Sequence, residues 1–292
     1  MQIYLDGEFV AEEEAKLSVF DHGLLYGDGV FEGIRAYNGR VFELEGHIKR
    51  LYDSAKAIAL DIPMSRTDMI EATLETVRRN GLEDGYIRLV VTRGVGDLGL
   101  NPVKCEKPTV FIIAATIRLY AEEMYRDGLK IITCSTRRNT PQAIDPAVKS
   151  LNYLNNILAS VELRGTGAHE GLMLNTDGYV AECTADNFFI VRDGCIVTPA
   201  PGVGALRGIT RAVVMNLVRE EMGREVEEGL YTLYDVYTAD EAFLTGTAAE
   251  VAPVVELDGR SIGSGRPGEM TLELMERFRA YAQRSGTPIY PD

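Results

Sequence analysis

A chain of 292 residues, 46% of them hydrophobic and 25% charged, is long enough for two packed domains. Its 44 acidic against 30 basic residues give a net charge of −14, which speaks against a phosphate backbone as partner, so no nucleic acid is expected. Four cysteines without CxxC spacing and three histidines argue against a metal site or a disulfide framework. No apolar run reaches the roughly 20 residues of a membrane span and no secretory leader is visible, so a cytoplasmic, membrane-free protein is expected.

In chain order, "MQIYLDGEFV" reads as two short strands around the turn dipeptide Asp6-Gly7, and "GVFEGIRAYNGRVFEL" (29–44) repeats the pattern around Asn38-Gly39. Helical segments follow at 45–60 and 66–80, the second starting at Ser65 and ending at Asn80-Gly81. The β-rich runs "GYIRLVVTRG" and "PTVFIIAAT" complete a small antiparallel α+β domain, residues 1–117. Residues 118–128 are polar and read as a linker. The larger domain, 129–292, reads as a strand (129–135), a helix (150–164), four strands (171–175, 178–183, 187–192, 195–198), a glycine-rich turn into a helix (208–222), a short helical stretch, strands at 241–246 and 252–257, and a C-terminal helix from Thr271. Strands dominate its middle without a clean βαβ alternation, which predicts a barrel-like β core with flanking helices rather than a Rossmann sheet.

Four features could carry chemistry. In "DPAVKSLNYLNNILASVEL" (145–163), Ser150 reads as a helix N-cap before an apolar face of Leu151, Leu154, Leu158 and Val161, which puts Lys149 at the positive end of the helix dipole. Such a setting disfavours an ammonium and favours the neutral amine that condenses with an aldehyde. In a helix begun there, Tyr153 would share its face. In "PAPGVGALRGITRAVVMNLV" (199–218), glycines lead into a helix opened by Ile209 and Thr210, whose first N–H groups could accept a phosphate. "LTGTAAEVAP" (244–253) makes a tight turn with bare N–H groups and the hydroxyl of Thr247, either an anion nest or a plain N-cap. In "GYVAECTADNFFIV" (178–191), Glu182 sits between apolar strands, either at an exposed turn or buried with a positive partner. Pyridoxal phosphate uses all four kinds of feature: an amine for its aldehyde, a phosphate cradle, an acid for its ring nitrogen, and a phenol beside its 3′ oxygen.

At these residues the sequence resembles the class IV, fold-type IV pyridoxal-phosphate aminotransferases, and among them the branched-chain amino acid enzymes. The resemblance runs in order through "DHGLLYGDGVFEGIRAY" (21–37), "HIKRL" (47–51), "YIRLVV" (86–91), "KSLNYLNN", "GYVAECTADNFF", "LRGITR" and "TGTAAEVAPV". It implies a small α/β domain beside a larger domain with a pseudo-barrel core. By it, Lys149 matches the Schiff-base lysine, Glu182 the partner of the pyridine nitrogen, Tyr153 the phenol beside O3′, and Leu206 the side chain against the ring. Arg50, Ile209, Thr210 and Thr247 match the phosphate-holding positions. Tyr86 and Arg88, two apart on one strand, match residues near the substrate carboxylates; Tyr26 and Phe31 match the side-chain pocket, and Thr247 and Ala248 the α-carboxylate donors.

The implied activity is transamination of branched-chain L-amino acids with 2-oxoglutarate by a ping-pong route, in a homodimer or larger homo-oligomer whose active site the partner subunit completes. D-amino acid aminotransferases are also similar, but they carry an Arg–His carboxylate trap after the "VTRG"-like strand, where this chain has "VGDLGLNP" (95–102). Aminodeoxychorismate lyases and (R)-amine aminotransferases share the cofactor residues; the pair Tyr86 and Arg88 favours an amino acid over a simple amine.

Overall fold

The computed structural model describes residues 1–116 and 121–290. The chain divides into two compact units: residues 1–117, 148–152 and 282–292 form the first, and residues 118–147 and 153–281 the second. The polypeptide thus changes unit more often than a single linker at 118–128 would require, and the Lys149 segment belongs to the first unit.

The first unit opens with strands β1 (Gln2–Leu5) and β2 (Glu8–Ala11), followed by the short helix α1 (His22–Tyr26) and strands β3 (Gly29–Tyr37) and β4 (Arg40–Val41). Helices α2 (Leu44–Ala57) and α3 (Arg66–Arg79) and strands β5 (Gly85–Thr92) and β6 (Thr109–Ala115) follow. Asp6 and Gly7 both take positive φ, as do Asn38 and Gly39, the condition for tight hairpin turns whose twist matches the strands. Helix α3 starts at a reciprocal capping box between Ser65 and Asp68. All strand pairs in this sheet are antiparallel, and α2 and α3 cover one face through Ile48, Leu51, Leu74 and Val77 against Ile34 and Ile87. That leaves the alternate residues of β3 and β5 on the opposite face.

The second unit contains α4 (Glu122–Asp127), β7 (Leu129–Thr133), α5 (Leu154–Val161), β8 (Glu170–Leu174), β9 (Val180–Cys183), β10 (Asn187–Arg192) and β11 (Cys195–Pro199). Then come α6 (Ile209–Met222), β12 (Val226–Gly229), α7 (Leu233–Tyr237), β13 (Glu241–Gly246), β14 (Glu250–Leu257), β15 (Arg260–Ser261) and α8 (Glu269–Arg284). The end of α8, from Ala282, and β16 (Thr287–Pro288) return to the first unit, where β16 pairs with β4. The sheet of the second unit runs β12-β11-β10-β13-β14-β7-β8-β9, with β15 on β14. Because the Cys183 N–H donates to the Asp186 carbonyl, the last strand in that path turns directly back into β10, so the sheet curls into a partial barrel. Leu172, Phe188, Ile190, Leu244, Ala252 and Val254 fill one face of it, and Phe189 and Phe243 stack at 4.8 Å on the other.

Two expectations need correction. The helix expected at 150–164 is α5, which begins only at Leu154, with Tyr153 at its N-cap position and no side-chain cap from Ser150. Ser150 instead pairs with Val30 of β3: the Phe31 N–H donates to the Lys149 carbonyl and the Leu151 N–H to the Gly29 carbonyl. Sheet pairing with a strand far away in sequence has overridden local capping chemistry. The apolar face of this helix is also not buried within the chain: Leu154 is 65% exposed and Ile157 55%, while Leu158 and Val161 are exposed too. Within the expected linker, Glu122–Asp127 is helical (α4), and residues 117–120 lie outside the described residues.

Candidate active site

In the first unit, the open face of β3 and β5 gathers an amine, two aromatic rings and a guanidinium. Lys149 is held by its backbone, since its N–H donates to the Ser54 hydroxyl and its carbonyl is taken by β3. Its side-chain nitrogen lies 4.5 Å from the centre of the Phe31 ring. The Arg88 guanidinium lies 4.8 Å from the same ring and donates to the Tyr86 hydroxyl at 3.0 Å. The strand alternation that puts Tyr86 and Arg88 on one face is therefore realised. Gly33, opposite Arg88, makes room for this pair: a Cβ there would sit 2.1 Å from the Tyr86 hydroxyl oxygen.

Tyr26 is tied elsewhere in the unit. It closes α1, and its hydroxyl donates to the Leu98 carbonyl at 2.6 Å, while His22, edge-on to its ring, meets the Asp97 carbonyl at 2.8 Å. The 95–102 loop is thus pinned to α1. The next residue, Gly27, offers its carbonyl to the Asn152 side chain, three residues beyond Lys149.

Arg50 lies on α2 and is mostly buried. Its Nε and Nη2 donate to the two oxygens of Glu32, both at 2.7 Å, and His47 reaches the same carboxylate at 2.7 Å. Burial alone would raise the Glu32 carboxyl, but the Arg50 guanidinium and the His47 ring hold it at about 2. Burial pushes His47 below its ordinary value against the pull of Glu32. An ionised carboxylate only accepts, so Nδ1 of His47 must carry the proton.

In the second unit, Glu182 on β9 is buried. Its Oε1 meets the Arg138 guanidinium at 2.6 Å, and its Oε2 accepts the Leu206 N–H at 2.8 Å and the Asn187 amide at 3.2 Å. The buried-with-a-partner reading of Glu182 is the one realised. Asn187 also donates to the Leu206 carbonyl, binding the loop that carries Leu206 to β10. That loop leads into α6, whose N-cap residue is Gly208, with no side chain capping the helix. A Cβ on Gly208 would fall 2.0 Å from the Asn187 amide oxygen. The first turn of α6 contains Ile209 and Thr210, and the buried Thr210 hydroxyl has no hydrogen-bond partner among the described residues. Thr247 and Ala248 lie in the β13–β14 turn, half-buried.

An uncapped fourteen-residue helix start with an orphaned buried hydroxyl fits an anion, and a buried carboxylate with a fixed set of donors fits a ring nitrogen. Sequence reasoning missed Glu32, His47 as its partner, Arg138 and Asn187. For Glu32 there was a signal, a lone acid in the otherwise apolar "GVFEGI", and for Asn187 its place five residues after Glu182; for Arg138 there was none, because its partner Glu182 is distant in sequence. Among the described residues no cluster of three or more His, Cys, Asp or Glu could hold a metal, and no helix is long and apolar enough to cross a membrane.

Residues 29–257 match the family described as amino-transferase class IV, and the chain belongs to that family. Its nearer relationships are with the branched-chain enzymes. It is 54% identical, over all of both chains, to a putative branched-chain-amino-acid aminotransferase of Methanocaldococcus jannaschii. It is 42% identical to the branched-chain-amino-acid aminotransferase of Pseudomonas aeruginosa, over 94% of this chain and 91% of that one. Among solved structures, the branched-chain amino acid aminotransferase of Escherichia coli superposes with a TM-score of 0.93 at 36% identity, covering 100% of this chain and 96% of the other. The fold is accordingly that of the fold-type IV aminotransferases.

Proposed function

We propose that this protein binds pyridoxal 5′-phosphate and moves the amino group of branched-chain L-amino acids to 2-oxoglutarate by ping-pong turnover. The observation that carries the reading is the cluster on the first sheet: the Lys149 amine and the Arg88 guanidinium share the Phe31 ring, with the Tyr86 hydroxyl bonded to Arg88. A group that can take a proton from carbon beside one that receives a carboxylate is what an amino acid requires. The bound cofactor would supply an electron sink for the pair left on Cα.

The chain's residues divide the work. Lys149 would link to the cofactor, then carry the proton between substrate Cα and cofactor C4′. Glu182, fixed by Arg138, Asn187 and the Leu206 N–H, would hold a proton on the ring nitrogen. Tyr153 would face O3′, and Leu206 would pack on the ring. Arg50, the N–H groups of Ile209 and Thr210, and Thr247 would take the phosphate. Tyr86 and Arg88 would lie near the substrate carboxylates, Thr247 and Ala248 would donate to the α-carboxylate, and Phe31 with Tyr26 would line the side-chain pocket. The ring surfaces of Phe31 and Tyr26 would suit the apolar side chains of leucine, isoleucine and valine.

The exposed apolar residues of α5 support a homodimer or larger homo-oligomer, as do Leu98, Leu100 and Val103 in and beside the 95–102 loop. Half-reaction spectroscopy tests the function: L-leucine should convert the cofactor to its amine form rapidly. Conversion by D-alanine alone would overturn the substrate assignment.

A further inference from the structure

Strand β3 buries an acid where the pattern calls for a hydrocarbon. Val30 and Ile34 are fully buried core residues on the face covered by α2, and Glu32 stands between them with no exposure at all. A buried ion pair of this kind contributes no more to stability than apolar groups of the same shape, and often less. What it does supply is direction. Both oxygens of Glu32 are engaged with Nε and Nη2 of Arg50, a two-point contact that fixes the plane of the guanidinium and its rotation. His47, one turn earlier on α2, binds the carboxylate from the side at 2.7 Å. With Nδ1–H donated to Glu32, its Nε2 is an acceptor with no partner among the described residues; a second proton there would be an unpaired buried donor close to Arg50 and Lys149.

We infer that Glu32 is a positioning residue for the cofactor phosphate, holding the Arg50 guanidinium in a single orientation, and that His47 in its neutral form holds Glu32. The inference rests on the reading that Arg50 receives the phosphate. A guanidinium already held in place loses little conformational freedom when the anion arrives, whereas one released from Glu32 must be ordered by the ligand itself. The device acts on the phosphate end of the ligand only, and only through Arg50.

The test is binding of two fluorescent probes to the full-length protein stripped of cofactor: pyridoxamine 5′-phosphate and its dephosphorylated counterpart pyridoxamine. Neither needs a covalent link to Lys149, and the protein has no tryptophan to interfere. Glu32→Gln should weaken the phosphorylated probe by about tenfold or more and leave pyridoxamine within about twofold. In an Arg50→Ala background the same substitution should have no further effect, because the two act as one unit. Glu32→Asp, which keeps the charge but withdraws it by one methylene, should weaken the phosphorylated probe in the same selective way, and serves alone should Glu32→Gln not fold. Wild-type affinity in a Glu32 variant while Arg50→Ala loses affinity overturns the inference, as does an equal loss for both probes, the sign of a merely structural role. An Arg50→Ala protein that retains full affinity would instead remove the phosphate reading of Arg50, and the inference with it.

Discussion

Replacing Arg138 by methionine removes the positive partner of a carboxylate that stays behind. The two side chains are 7% and 6% exposed, and the contact is 2.6 Å. Glu182 keeps two donors in the variant, the Leu206 N–H and the Asn187 amide, but loses the compensating charge. Arg138 also donates to the Gly204 carbonyl at 3.2 Å and to Asn156 at 2.9 Å, acceptors that the thioether cannot serve. Breaking a buried pair from one side removes about 3–5 kcal/mol, and the two remaining donors place this case near 3. For a chain of this size that is a fall in Tm of roughly 6–12 °C. Thermal scans with and without pyridoxal 5′-phosphate read both halves of the argument. The cofactor-free variant should melt lower by that amount. Added cofactor should raise Tm more in the variant than in the wild type, because a protonated ring nitrogen replaces the missing positive charge beside Glu182. A cofactor-free loss below about 1 kcal/mol would refute the burial argument. An equal cofactor gain in both proteins would refute the pairing of Glu182 with the ring.

The remaining predictions concern other parts of the molecule. Glu32 is held at about 2, below its ordinary 4.5, so its contribution is complete above pH 4.5 and is lost as pH falls toward 2. Burial lowers His47 below 6.5, so stability also declines as pH drops beneath 6.5; urea unfolding across pH 3–8 should show His47→Asn flattening the upper part of that slope and reducing, without abolishing, the lower part, where Arg50 still holds Glu32. Gly208→Ala should keep the fold but release bound cofactor on gel filtration, because the new methyl displaces Asn187 and with it the Leu206 loop; full retention would contradict the geometry. Lys149→Ala should fold, as judged by circular dichroism, and show no transaminase turnover; appreciable turnover would remove Lys149 from its proposed role. Leu158→Glu combined with Ile157→Glu should shift sedimentation toward monomer, and an unchanged profile would assign the assembly surface elsewhere.

How far the sequence discloses this molecule depends on how local the governing interaction is. Helix α6 begins and ends within a residue of its expected span because its amphipathic period and the flanking Gly208 and Gly223 are all local. Strand β10 matches its expected 187–192 because an unbroken apolar run between turns can be little else. The start of α5 was not legible, since Ser150 has the chemistry of a cap and only β3, more than a hundred residues earlier, claims its backbone. The apolar period of α5 is legible, but a period alone does not say whether the chain itself buries that face. Strand β4 is two residues long where a full hairpin arm was expected, since the chain enters α2 at Leu44. Residue types and local pattern singled out Lys149, Glu182 and the start of α6 as candidates, whereas Arg138 and Glu32 owe their places to partners that no local window contains.

The stitching of residues 149–151 to β3 has a consequence for how such a protein can change. The backbone around Lys149 is fixed by main-chain bonds, the Phe31 N–H to the Lys149 carbonyl and the Leu151 N–H to the Gly29 carbonyl, and these survive any side-chain substitution that leaves a strand a strand. The side chains of Phe31, Tyr86 and Arg88, which would meet the substrate, can therefore be exchanged without moving the amine. On the proposed reading, reactive group and selectivity filter would occupy the same sheet but be written in different parts of the polypeptide, one in its amides and the other in its side chains. A lineage built this way can explore new substrates by point mutation while its chemistry stays in register.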